Sequence, residues 1–193
     1  MFKFVISAAS NKDWEAYNDK KIVTFWGRSN VGKSSLINAL ANSKIARVSK
    51  TPGRTQLVNF FVDEHDYHIA DLPGYGYANI SKDKQEKMLK NIANFLTDRA
   101  SNKFLFLLVD SRLGFTNIDL EVLDYLKQID IQFAVIYTKN DKLNQREKTV
   151  LIKKHNELIA NNILANDVEY FVASVNNQKQ IELIRNKMFS IFN

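Results

Sequence analysis

No cysteine occurs in the 193 residues, so neither a disulfide framework nor a thiolate metal site can be built, and the chain is compatible with a reducing compartment. A cytoplasmic location is the expectation. Long apolar runs are missing too: the strongest, FLFLLV from Phe104 to Val109, stops at Asp110, far short of the roughly 20 residues needed to cross a bilayer. It reads as a buried strand, and no membrane insertion is expected. The opening MFKFVISAAS turns polar at NKDWE, too short and too poorly flanked for a signal peptide, so no targeting segment is expected. Repeats and low-complexity linkers are absent as well. His65 and His68 lie near each other without a third ligand at metal spacing and read as surface or strand residues, while the many phenylalanines, Phe2 and Phe4 included, read as core fillers.

What is present suits one domain over residues 1–193, with 45% hydrophobic content to fill a core and residues 1–20 as an N-terminal extension leading into the first core strand. A formal net charge of +6 favours phosphate-rich partners such as nucleic acid, although solubility explains such a charge equally well. Short apolar runs at 22–26, 57–62, 67–71, 104–110, 131–138 and 168–174 read as strands. Between them, 34–43, 83–100, 117–129 and 146–162 carry apolar residues at three-to-four spacing and read as helices, with a last helix from about Gln178 to Phe192. This alternation predicts an α/β fold of three layers: a mixed, mostly parallel sheet of about six strands with helices on both faces. The close pair LVNFFV and DYHIAD predicts a hairpin, hence one antiparallel strand.

The run Gly27-Arg28-Ser29-Asn30-Val31-Gly32-Lys33-Ser34 fits G-x-x-x-x-G-K-[ST] and falls between a strand and a helix, where its mechanism needs it. Gly27 and Gly32 let backbone N–H groups converge on phosphate oxygens, Lys33 reaches the β and γ phosphates, and Ser34 is placed to hold magnesium through its hydroxyl. Ser35 continues the helix N-terminus. Asp71-Leu72-Pro73-Gly74 then closes a strand as a D-x-x-G arrangement. Asp71 would orient a magnesium-bound water and the Gly74 N–H would touch the γ-phosphate, so that its loss releases the loop Tyr75-Gly76-Tyr77. Between these lies Ser49 to Gln56, a polar loop with Pro52 and Gly53, the natural first switch. Thr51 and Thr55 both qualify chemically as a further magnesium ligand, and spacing does not choose between them.

Thr138-Lys139-Asn140-Asp141 resembles N-K-x-D, with Thr in place of the usual Asn. The Asp141 carboxylate would accept hydrogen bonds from the ring N–H and exocyclic amine of guanine, which adenine does not offer in that pattern, while the Lys139 stem lies along the base plane. Thr138 would brace the phosphate loop through its hydroxyl. At the end of the last strand, Val172-Ala173-Ser174 is where backbone N–H groups would meet guanine O6. An ATP-dependent small-molecule kinase would need an acceptor site and a lid and would have no use for Thr138 to Asp141. The residues therefore predict a P-loop GTPase fold binding GTP/GDP with Mg2+.

Through GRSNVGKSSLINAL, KTPGRTQLVNFF, DLPGYGYA and TKND the chain resembles the EngB family of bacterial GTPases, in the TrmE-Era group of translation-associated GTPases, from about Lys21 onward. The resemblance implies that Thr55 of G-R-T-Q, with Ser34, ligates the magnesium. It likewise implies nucleotide contacts from Gly53, Arg54, Gln56 and Leu57. It implies a role in assembly of the large ribosomal subunit, with effects on cell division and septation; a monomer is the expectation. Lys44, Arg47, Lys50 and Arg54 near the first switch and Lys82, Lys84, Lys87 and Lys90 after the second would supply a basic surface for rRNA. Septation through protein partners, or nucleotide-gated RNA binding with incidental hydrolysis, are the alternatives. No catalytic side chain is identified: Tyr75 follows Gly74 where Ras-like GTPases place a water-orienting Gln, and a phenol of ordinary pKa about 10 is a poor base. Hydrolysis is expected to be slow unaided. Asn30 occupies the position that helps bind potassium in potassium-activated members of that group.

Overall fold

The computed structural model describes residues 1–46, 57–76, 81–99 and 102–193. Strand β2 (Ile22–Gly27) explains the architecture in miniature: Ile22 and Trp26 enter one apolar cluster while Val23 and Phe25 enter another on the opposite face. Strand β5 (Lys103–Asp110) repeats the pattern, with Leu105, Leu107 and Val109 on one side and Phe106 and Leu108 on the other. Such strands read as continuous apolar runs because both sheet faces are covered.

The remaining strands are β1 (Lys3–Ala8), β3 (Val58–Val62), β4 (His68–Asp71), β6 (Gln132–Thr138) and β7 (Tyr170–Val172). They form one sheet in the order β1-β3-β4-β2-β5-β6-β7, in which β3 runs antiparallel to both its neighbours and the other pairs are parallel. Among the described residues the sheet thus has seven strands rather than about six as predicted. The additional one is β1, within the N-terminal extension. Its sequence is hard to read because it is an edge: no apolar-polar alternation survives, Phe4 is 55% exposed rather than in the core, and a bulge between Phe4 and Ile6 shifts the pairing. A helical turn, α1 (Asn11–Trp14), then drives Trp14 into the core against Phe95.

Helices α2 (Lys33–Ala41) and α6 (Gln178–Phe192) cover one face through Leu36, Ile37 and Leu40 and through Ile181, Ile184 and Met188. Their three-to-four spacing puts each set on one side of its helix. Helices α3 (Lys82–Thr97), α4 (Asn117–Gln128) and α5 (Gln145–Ala160) cover the other with Ile92, Phe95, Val122, Leu126 and Leu151. Capping boxes start two of them, Thr116 with Asp119 at α4 and Asn144 with Glu147 at α5. His68 is buried in β4, where its ring contacts Asp66 at 2.9 Å, and His65 is exposed. Among the described residues no helix is long and apolar enough to cross a membrane.

Candidate functional site

The carboxyl ends of the parallel strands β2, β4, β5 and β6 lie side by side, which brings the loops that follow them together. At the end of β2 the chain must pass tightly against β5: a Cβ on Gly27 would stand 2.8 Å from the Leu108 carbonyl oxygen, so only glycine fits. The loop then turns through left-handed backbone at Asn30 (φ 62°) and Gly32 (φ 105°), and the buried Val31 pins it to the core. Helix α2 starts immediately afterwards without any side-chain cap at Gly32. Its first N–H groups and the positive end of its dipole are thereby left for an anion. Ser34 and Ser35 sit half-buried in this first turn.

Asp71 ends β4, 4% exposed, and its carboxylate pairs with the Lys33 ammonium. The following segment is sewn to the phosphate loop. Leu72 N–H donates to the Phe25 carbonyl at 3.0 Å, Trp26 Nε1 donates to the Pro73 carbonyl at 3.0 Å, and Ser29 N–H donates to the Tyr75 carbonyl at 2.9 Å. Gly74 crosses so close that a Cβ there would meet Ser29 N at 3.1 Å and the Gly27 carbonyl oxygen at 3.2 Å. Tyr75 turns away from the loop: its hydroxyl donates to Asp119 Oδ1 at 2.8 Å, inside α4. Burial first, then the Asp119 charge and hydrogen bond, push this phenol well above its ordinary value. Asp119 is fully buried, accepts from Thr116 N–H and Oγ1 at 2.8 and 2.7 Å, and lies 3.3 Å from Arg28 Nε. Nothing in the sequence reading pointed to Asp119, whose only local signal is the capping spacing from Thr116.

On the other side, Thr138 Oγ1 donates to the Val31 carbonyl at 2.6 Å, and Lys139, itself left-handed (φ 57°), donates to the Asn30 carbonyl at 2.6 Å. The loop after β6 is therefore tied directly to the phosphate loop. Asn140 N–H donates to the Ala173 carbonyl at 3.1 Å, which joins it to the end of β7. Asp141 stays solvent-accessible, with Lys142 3.2 Å away; burial alone would raise its pKa, but the Lys142 hydrogen bond and other donors hold it lower than usual. The Ser174 N–H donates to Gln180 Oε1 at 2.8 Å and that of Ala173 to the Tyr137 carbonyl at 2.8 Å. A base oxygen meeting the Ser174 N–H must therefore displace the Gln180 side chain. Val172 is the last residue of β7, and Leu57, just before β3, is 36% exposed. Thr51, Gly53, Arg54, Thr55, Gln56 and Tyr77, with Arg47 and Lys50, lie outside the described residues.

Among the described residues, the donors near the phosphate loop include a hydroxyl, Ser34, and a carboxylate, Asp71. Such hard oxygen donors fit magnesium.

A glycine-walled loop opening a helix at the head of a parallel sheet, an acidic residue ending the neighbouring strand and a T-K-N-D run braced against that loop define a P-loop GTPase domain. The family model described as "50S ribosome-binding GTPase" matches residues 22–139. A probable GTP-binding protein EngB of Mycoplasmopsis agalactiae is 53% identical over 92% of this chain and 91% of its own length. One from Clostridium acetobutylicum is 44% identical over 95% of this chain and 91% of its own. A crystal structure of a probable GTP-binding protein EngB superposes with a TM-score of 0.65 at 29% identity, covering 89% of this chain and 98% of that one. The fold is also that of Era, solved with MgGDPNP and a 16S ribosomal RNA fragment, at a TM-score of 0.65 and 21% identity, covering 88% of this chain and 57% of that one. The chain belongs to the EngB family of GTP-binding proteins, and it is a GTPase.

Proposed function

We propose that the chain is a cytoplasmic, monomeric GTPase switch that assists assembly of the large ribosomal subunit and so supports cell division and septation. The match to a family described as 50S ribosome-binding carries this reading. The exposed Lys44 and, on α3, the exposed Lys84, Lys87 and Lys90 are compatible with an rRNA-facing surface.

Within the site, the backbone from Gly27 to Ser35 cradles the phosphates and Lys33 neutralises the β and γ oxygens. Ser34 and Thr55 would hold Mg2+, with Asp71, which pairs with Lys33, orienting one of its waters. The chemistry that Mg2+ would supply there is neutralisation of the charge on the transferring phosphoryl group. Gly74 N–H senses the γ-phosphate, with Leu72 and Pro73 fixing its approach. Gly53, Arg54, Gln56 and Leu57 would add contacts to the nucleotide. Asp141 selects guanine, Lys139 lies along the base, Asn140 and Thr138 anchor that loop, and of Val172, Ala173 and Ser174 it is the Ser174 N–H that meets O6 once Gln180 yields, since the Ala173 N–H is bonded to the Tyr137 carbonyl within the sheet. Asn30 would be the residue to hold an activating potassium ion.

Sedimentation with ribosomal particles tests the biological part. Co-sedimentation with large-subunit particles in a non-hydrolysable GTP analogue, weaker in GDP and weakened by salt, is the expected outcome. Indifference to particles in both nucleotides would favour a septation GTPase acting through protein partners.

A further inference from the structure

Resting on the reading of Lys139 as part of the guanine site, we propose that Asp110, at the carboxyl end of β5, is a positioning residue that sets the Lys139 side chain for the base. The Asp110 carboxylate divides its labour between two oxygens. Oδ1 organises the local turn, accepting from Arg112 N–H at 3.1 Å and Arg112 Nε at 2.9 Å, while the Asp110 carbonyl accepts from Leu113 and Gly114 N–H, both at 3.0 Å. Oδ2 reaches out of that turn to Lys139 Nζ at 2.9 Å and takes Arg112 Nη2 at 2.7 Å. The turn is satisfied without the lysine contact, so that contact links β5 to the loop after β6.

Lys139 needs such a link. Its backbone is left-handed, and its ammonium has the Asn30 carbonyl as its other acceptor. Held at both points, the stem runs past Gly32, with Cε 3.8 Å from where a Cβ on that glycine would stand. That fixes an apolar wall beside the phosphate loop, 27% exposed, on which a planar base can lie. Burial would raise the Asp110 pKa, yet Arg112 and Lys139 hold it well below the usual carboxylate range, so the anion persists at any physiological pH. Arg112, half-exposed, acts as a clamp that keeps the carboxylate plane aimed at Lys139.

A double-mutant cycle on release of N-methylanthraniloyl-GDP, and of the corresponding GTP analogue, tests the assignment. Asp110→Asn should speed release of both nucleotides by roughly tenfold or more, the scale of one lost charge-assisted hydrogen bond. In a Lys139→Met background the same change should alter release by less than about twofold, because the two residues act as a unit. Asp110→Ser gives the same comparison if the amide does not fold, and thermal unfolding without nucleotide reads the turn separately. Equal acceleration in both backgrounds, or acceleration by Lys139→Met but not by Asp110→Asn, overturns the positioning role and leaves the guanine site standing. If Lys139→Met itself leaves release unchanged, the reading of Lys139 fails and the proposal falls with it.

Discussion

Tyr75→Phe separates a structural tyrosine from a catalytic one. The change keeps the ring edge-on to Trp26, whose centroid is 5.3 Å away, and removes only the hydroxyl that donates to Asp119 Oδ1 at 2.8 Å. A hydrogen bond to a buried charge is worth about 1.5–3 kcal/mol. Asp119 keeps both Thr116 donors on Oδ2 and Arg28 Nε at 3.3 Å from Oδ1, so the carboxylate is not orphaned. The loss should therefore fall near the low end, about 1.5–2 kcal/mol. For a domain of this size each kcal/mol moves Tm by roughly 2–4 °C, so calorimetry should show a drop of about 3–8 °C. GTP turnover by the folded variant should stay within about twofold, since a phenol pushed above its ordinary value and bonded into α4 does not take a proton from the attacking water. A tenfold or greater fall in turnover with Tm unchanged would refute this and make Tyr75 a catalytic group.

Potassium at matched ionic strength should raise turnover over sodium, and Asn30→Ala should remove that increment alone. The variant should also lose about 1 kcal/mol of stability, because position 30 is left-handed (φ 62°) and alanine tolerates that poorly. Replacing Lys84, Lys87 and Lys90 by Glu should weaken co-sedimentation with ribosomal particles and flatten its salt dependence, with nucleotide affinity retained. His155 is buried and its Nδ1 shares a hydrogen bond with the Tyr137 hydroxyl at 3.0 Å; burial lowers its pKa from 6.5. The neutral ring is thus favoured by folding, and its contribution is full above about pH 6.5 and lost as pH falls through the lowered folded value. Unfolding titrations of His155→Gln should be flatter than wild type across that acidic window.

Where local pattern and global packing agree, the sequence was enough. The six core strands and five long helices follow from apolar runs and three-to-four spacing, because β2 and β5 are covered on both faces and α2 and α6 on one. The phosphate loop was legible because its chemistry demands glycine at fixed spacing, and the close approach of Gly27 to Leu108 gives the reason. Strand β1 escaped because an exposed, bulged edge imposes no alternation on residues such as Phe4. Asp110, Asp119 and Gln180 escaped for another reason. Each contacts a partner that no local sequence pattern links to it, Lys139, Tyr75 and the Ser174 N–H respectively, and for Asp110 and Asp119 those partners are set beside them only by the order of strands and helices. Gln180 lies six residues from Ser174, and its contact needs the turn between β7 and α6.

The claim that Asp141 makes this a guanine-nucleotide switch is tested most directly by titrating Asp141→Asn with GTP and with XTP. An amide donates where xanthine carries an added carbonyl, and the guanine N–H groups lose their charged acceptor. GTP affinity should fall by about a hundredfold or more, as two charge-assisted hydrogen bonds would require, while XTP affinity rises above that for GTP. An undiminished preference for GTP in that variant would remove Asp141 from the base site and contradict the account.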